Sequence, residues 1–111
     1  MGVEVELHSE RPSRKGKRSR ATLILGSYQH GETLACVLDM VRSAGSGRLA
    51  QVDPYGDTLW NEQEAEAAIQ EASDLSHRCT EDARRASVDD LVVMLRLCAS
   101  TPGSYLWFMG D

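Results

Sequence analysis

Two stretches of the chain concentrate side chains able to do chemistry. The first, Asp53-Pro-Tyr-Gly-Asp-Thr-Leu-Trp-Asn61, gathers two carboxylates, a phenol, an indole and a carboxamide around a Pro and a Gly. Pro54 presets φ and Gly56 accepts a positive φ, so the stretch reads as a rigid turn. Loops held by a scaffold often carry binding residues, and Tyr and Trp are favoured anchors at protein contacts. Asp53, Tyr55, Asp57 and Trp60 are therefore the expected partner-binding residues. The competing reading of the same residues is structural: a shaped turn, Trp60 in the core and Asn61 capping a helix. The DxxxD spacing matches neither a calcium loop nor a magnesium–phosphate site, so no metal is expected there.

The second stretch is the run Arg11-Pro-Ser-Arg-Lys-Gly-Lys-Arg-Ser-Arg20, which contains no acid. Its cations, Arg11, Arg14, Lys15, Lys17, Arg18 and Arg20, are dense enough to neutralise phosphates and release counterions. That is the footprint of a small nucleic-acid-associated protein, the alternative function read from the sequence. The run lacks interleaved aromatics for base stacking. As a self-repelling stretch with Pro, Gly and two Ser it also reads as an exposed loop spanning residues 8–20.

Nothing else assembles into a catalytic pattern. The chain has no nucleophile elbow, no P-loop and no dinucleotide fingerprint, and is read as a non-enzyme without a cofactor. His77 and Cys79 lie two apart, whereas metal ligands on a helix share a face at three or four, so zinc is not expected. His8 and His30 come with no obvious partner. Three cysteines without a CxxC pair argue for reduced thiols, with Cys36 and Cys98 as small buried hydrophobes.

The elements that must position these residues fit one domain over residues 1–111, with 41% hydrophobic content to build its core. No apolar run approaches the roughly 20 residues of a membrane span. The N-terminus also lacks the basic start and apolar middle of a leader, so a cytoplasmic location is expected. The formal charge of −5 is an average of unlike parts: residues 1–20 hold six bases and three acids, a net of +3, which leaves −8 on the remainder. An acidic body of that kind steers a basic protein partner toward it.

Val3–Leu7 alternates apolar and acidic residues, the pattern of a strand with one buried face. Ala21–Leu25, stopped by Gly26, is a second strand able to pair with it as a hairpin. Leu34, Val37, Leu38 and Val41 recur at helical spacing over Glu32–Ala44, with Gly45 as the C-terminal stop. Leu49–Val52 reads as a short strand. Asn61 caps a helix carrying Glu62, Glu64 and Glu66 near its start. Ala65, Ala68, Ile69, Ala72 and Leu75 form its apolar stripe, continued by Cys79, Ala83 and Ala86, opposite a solvated acidic face. Ser87-Val-Asp-Asp90 resembles a capping box opening a third helix, buried on most sides over Leu91–Leu97. Tyr105–Met109 is a continuous apolar strand, suited to a sheet centre or to a homodimer through the C-terminal strand. The predicted fold is α+β: a small mixed sheet of about four strands with three helices mainly on one face.

Three pieces in order carry a family resemblance: Asp53-Pro-Tyr-Gly-Asp-Thr58 followed by an aromatic and Asn61, Gln63 leading a Glu-rich helix, and the ending Tyr105-Leu-Trp-Phe-Met-Gly-Asp111. Together they resemble a group of short uncharacterised proteins from high-GC Gram-positive bacteria. The resemblance covers the chain from Asp53 onward and implies no catalytic residue. In size and charge the chain also resembles the small acidic immunity proteins that neutralise bacterial toxins, which implies a toxin or another larger bacterial protein as partner. The basic stretch 11–20 departs from both.

Overall fold

The computed structural model describes residues 2–12, 22–45 and 47–110. The elements are β1 (Val3–His8), β2 (Leu23–Ser27), α1 (Gly31–Ala44), a 3-10 turn (Leu49–Gln51), β3 (Asp57–Asn61), α2 (Glu62–Arg78), α3 (Asp82–Ser100) and β4 (Tyr105–Gly110). The fold is α+β, with the four strands in one sheet ordered β2-β1-β4-β3.

Every pairing in the sheet is antiparallel, which corrects the expected mixed sheet. The cause is the connection between β3 and β4. α2 and α3 form an antiparallel hairpin that returns the chain to where β3 ended, so Tyr105 enters opposite Asn61 and β4 runs back along β3. β4 is a central strand, as its unbroken apolar run foreshadows. Both its edges are bonded within the chain, to β1 and to β3, so a homodimer cannot extend the sheet through the C-terminal strand.

Strand alternation divides the sheet into two faces. Val3, Val5, Leu7, Leu106, Phe108 and Trp60 point to the helical side and join Leu34 and Leu38 of α1, Ala65, Ala68 and Ala72 of α2, and Leu91, Met94, Leu95 and Cys98 of α3. Trp60 meets Phe108 edge-on, with ring centroids 4.8 Å apart. The three alanines of α2 let it approach α3 closely, and Ser76 donates a hydrogen bond across that contact to Asp89. All three helices pack on this one face.

Local chemistry explains the helix ends. Gly45 adopts φ 77° and its N–H reaches the carbonyls of Val41 and Arg42. Asn61 and Glu64 form a reciprocal capping box, each side chain accepting from the other's backbone N–H at 2.8 and 3.0 Å.

Several expected boundaries move. Residues 49–51 form a 3-10 turn and not a strand, because Glu71 of α2 accepts from the N–H groups of both Arg48 and Leu49 and winds the backbone. Glu71 is thereby taken out of the face expected to be solvated. The third strand is instead Asp57–Asn61, within the stretch read as turn. β2 runs through Gly26 to Ser27 and does not stop at Gly26. α3 begins at Asp82, and Ser87 lies inside it, its hydroxyl folded back on the Arg84 carbonyl at 2.7 Å and not capping. The break at residues 79–81 resets the helix phase, so Ala83 and Ala86 are exposed and do not continue the α2 stripe. Leu91–Leu97 is buried on one side only, since Val93 is 56% exposed.

Candidate functional site

The turn after the 3-10 segment is built with unusual firmness for a surface loop. Asp53 accepts the Tyr55 N–H through Oδ1 at 2.9 Å, and its own N–H donates to Thr58 Oγ1 at 3.0 Å. Gly56 is not at a positive φ, which corrects the reason read for it. A Cβ at Gly56 would lie 2.7 Å from Asp53 Oδ2, so a larger residue there would displace that carboxylate. The turn is also tied to β4: the Gly110 N–H donates to the Gly56 carbonyl at 2.8 Å, and a Cβ on Gly110 would sit 2.4 Å from the Pro54 backbone.

This scaffold presents Tyr55 at 66% exposure, with exposed carboxylates of Asp53 and Asp57 on either side in sequence. Trp60 does not join them. It is 3% exposed on the core face, so the expected fourth contact residue is a packing residue. Asp57 stands opposite Met109, and Val3 opposite Gly110, which places the turn at one end of the sheet. A polar groove of about 680 Å³ opens at the same end, walled by Glu4, Tyr28, His30, Glu32 and Met109.

The outer face of the sheet holds a cluster that sequence reading missed. Glu6 and His8 alternate with the core residues of β1 and should face water, yet they are 3% and 1% exposed. Residue 8 therefore belongs to a strand and not to the exposed loop. The Glu6 carboxylate accepts from Tyr28 Oη at 2.6 Å and lies 2.9 Å from His8 Nε2. His8 Nδ1 lies 2.8 Å from Thr22 Oγ1, and the imidazole stands 5.7 Å from the Trp107 ring. An N–H on Nε2 satisfies the carboxylate and leaves Nδ1 to accept from the Thr22 hydroxyl. Carboxylate, imidazole and hydroxyl in line is the order of a nucleophilic relay. The imidazole is buried, and these bonds tie β1 to Thr22 just before β2 and to Tyr28 just after it. The only signal in the sequence was a His two residues from a Glu on a strand.

Of the basic run, Arg11 is described: it is exposed, with its guanidinium 5.7 Å from the Tyr105 ring centre. Arg14, Lys15, Lys17, Arg18 and Arg20 lie outside the described residues. Cys98 is buried as expected, and burial pushes its thiol above the ordinary range despite a hydrogen bond from Ser104. Cys36 is exposed, a correction, with Sγ 4.0 Å from the Arg84 guanidinium. His77 is exposed, and its ring bonds the Ser73 carbonyl at 2.8 Å. Among the described residues no three His, Cys, Asp or Glu side chains come together to hold a metal ion. Among them also, no helix is long and apolar enough to cross a membrane.

No protein-family model matches the chain, and comparison with curated proteins and with solved structures finds no match.

Proposed function

We propose that this protein is a non-enzymatic binding module that docks a larger, basic bacterial protein, in the manner of an immunity or accessory protein. Asp53, Tyr55 and Asp57 are its contact residues. The reading rests on one observation: an exposed aromatic held on a hydrogen-bonded turn between two exposed carboxylates. A rigid anchor loses little entropy on binding, and aromatic side chains dominate the energetics of protein contacts. The net −8 carried by the chain after residue 20 supports it by drawing a cationic partner in. The bacterial and immunity-like parts of the proposal rest on the resemblance in the Asp53–Asp111 motifs and on size and charge.

The test is affinity capture from the native host with the wild-type chain and with the Tyr55→Ala/Asp57→Lys variant, followed by calorimetry on whatever protein is recovered. Both substitutions lie on exposed side chains. The expected result is one basic partner, bound by the wild type and lost from the variant. No partner, or equal recovery by both chains, would overturn the proposal. The nucleic-acid alternative through Arg11, Arg14, Lys15, Lys17, Arg18 and Arg20 forecasts the contrary: nucleic acid bound equally by both chains, with affinity falling steeply in salt.

A further inference from the structure

α1 packs against β1, α3 and the 3-10 turn. Its apolar stripe is wider than that packing needs. Leu34, Ala35 and Leu38 enter the core, and Val37, Met40 and Val41 lie at helical spacing along the adjoining side. Between that side and the end of α2 runs a groove of about 360 Å³. Val37 at 3% exposure, Val41 and Leu75 form its floor, the last two packed on the core beneath. Met40, 53% exposed, stands at the rim, where a thioether adapts to the shape of what it meets.

The charges around this groove have one sign. After residue 20 the chain has fourteen acids and six bases. The groove is nevertheless lined by two of those bases, Arg78 and Arg84, and by no acid. The two cations are not equivalent. Arg84 Nε lies 3.3 Å from the Glu81 carboxylate and Nη2 lies 4.0 Å from Cys36 Sγ, so its charge is largely answered within the chain. Arg78 is exposed at the last residue of α2, and among the described residues it has no ion pair or side-chain hydrogen bond. An apolar floor thus ends at a single unanswered guanidinium.

We propose that this groove binds a medium-chain fatty carboxylate. The hydrocarbon chain lies along Val37, Val41 and Leu75, and the carboxylate meets Arg78. The floor selects for hydrocarbon, because a sugar or nucleotide would leave its polar groups unpaired there. The mouth selects for a singly charged head. One guanidinium fork matches one carboxylate, whereas the second charge of a phosphate monoester would go unanswered. Size selects for a small molecule: the volume lies near the bottom of the roughly 300–1,000 Å³ range of small-molecule sites. The groove shares no residue with the Asp53–Asp57 turn, so this site stands independently of the docking proposed above.

Decanoate, kept below the concentration at which it forms micelles, is the probe. Calorimetry compares it with decanol and decylammonium, which carry the same chain on a neutral and a cationic head. The wild type is expected to bind a single decanoate per chain, about tenfold more tightly than decanol, with decylammonium weakest. Arg78→Gln is expected to abolish the preference for decanoate and leave the affinity for decanol unchanged, a split that damage to the fold would not produce. On the wild type, decanoate is expected to shift the methyl NMR signals of Val37, Met40, Val41 and Leu75. No binding of decanoate, decanol bound as tightly, a preference that survives Arg78→Gln, or shifts confined to other methyl groups overturns the proposal.

Discussion

Replacing Glu6 by Leu puts a number on the buried cluster. The substitution removes a carboxylate that, among the described residues, accepts from Tyr28 Oη and lies 2.9 Å from His8 Nε2. They do not lose equally. Tyr28 is nearly half exposed and turns its hydroxyl to water, whereas His8 at 1% exposure has nowhere to turn. The cost is therefore set by the imidazole. A buried donor left without a partner costs about 1–3 kcal/mol. The expected loss for Glu6→Leu is thus about 2 kcal/mol, within that range. Replacing both partners by apolar residues leaves no buried imidazole unpaired, so Glu6→Leu/His8→Leu should recover much of the loss. Urea denaturation of the wild type, both single variants and the double variant measures all four corners of the cycle. A Glu6→Leu cost below about 1 kcal/mol, or a double variant as weak as the sum of the singles, refutes the reasoning.

Two further outcomes follow from the helices. Asn61→Ala removes one half of the capping box at the start of α2 and is expected to cost about 1 kcal/mol in the same assay; an unchanged urea midpoint would contradict the geometry. Desolvation raises the Cys98 thiol above its ordinary value of 9.0, with Ser104 opposing the shift and Glu62 adding to it. The folded chain then holds that proton more tightly than the unfolded chain. Its contribution is complete below pH 9.0 and is lost as pH rises through the folded value. Cys98→Ala should flatten the alkaline fall in stability, and a fall of undiminished slope in the variant would count against the assignment.

Features written locally in the chain could be read from it. The spacing of Leu34, Val37, Leu38 and Val41 before Gly45 specifies α1, and Asn61 with Glu64 three residues on specifies the start of α2. Features written by distant partners could not. The strand pattern of β1 says that Glu6 and His8 face away from the core. It does not say that Tyr28 and Thr22, which lie far along the chain, meet them there. The 3-10 turn at Leu49 depends on Glu71 of another helix. β3 escaped notice because its five residues split between two faces and its last residue also caps a helix. The start of α3 was hidden by a decoy: no side chain caps it, while Ser87 and Asp90 imitate a box in its interior. At the candidate site, Asp53, Tyr55 and Asp57 are exposed as the turn chemistry suggested. Trp60 is inward because strand alternation, not turn composition, decides which way it points.

The position of β4 has a consequence for how the chain is made. It occupies the middle of the sheet, yet among the described elements it is the last to be synthesised. Its pairing partners are the earliest strand and the strand before the long helical hairpin, so a loop spanning nearly the whole chain must close before the sheet acquires its centre. Until then β3 has no neighbour, and Val5 and Leu7 of the β1–β2 hairpin have no complete core to enter. The α2–α3 hairpin, held by near contacts, is free to form earlier. A nascent chain in this state exposes apolar strand surface, the condition in which chaperones are engaged. For the same reason, a chain shortened before Tyr105 would not simply lose an edge: its sheet would separate into a hairpin and a lone strand, and the turn bearing Tyr55 would lose its anchor at Gly110.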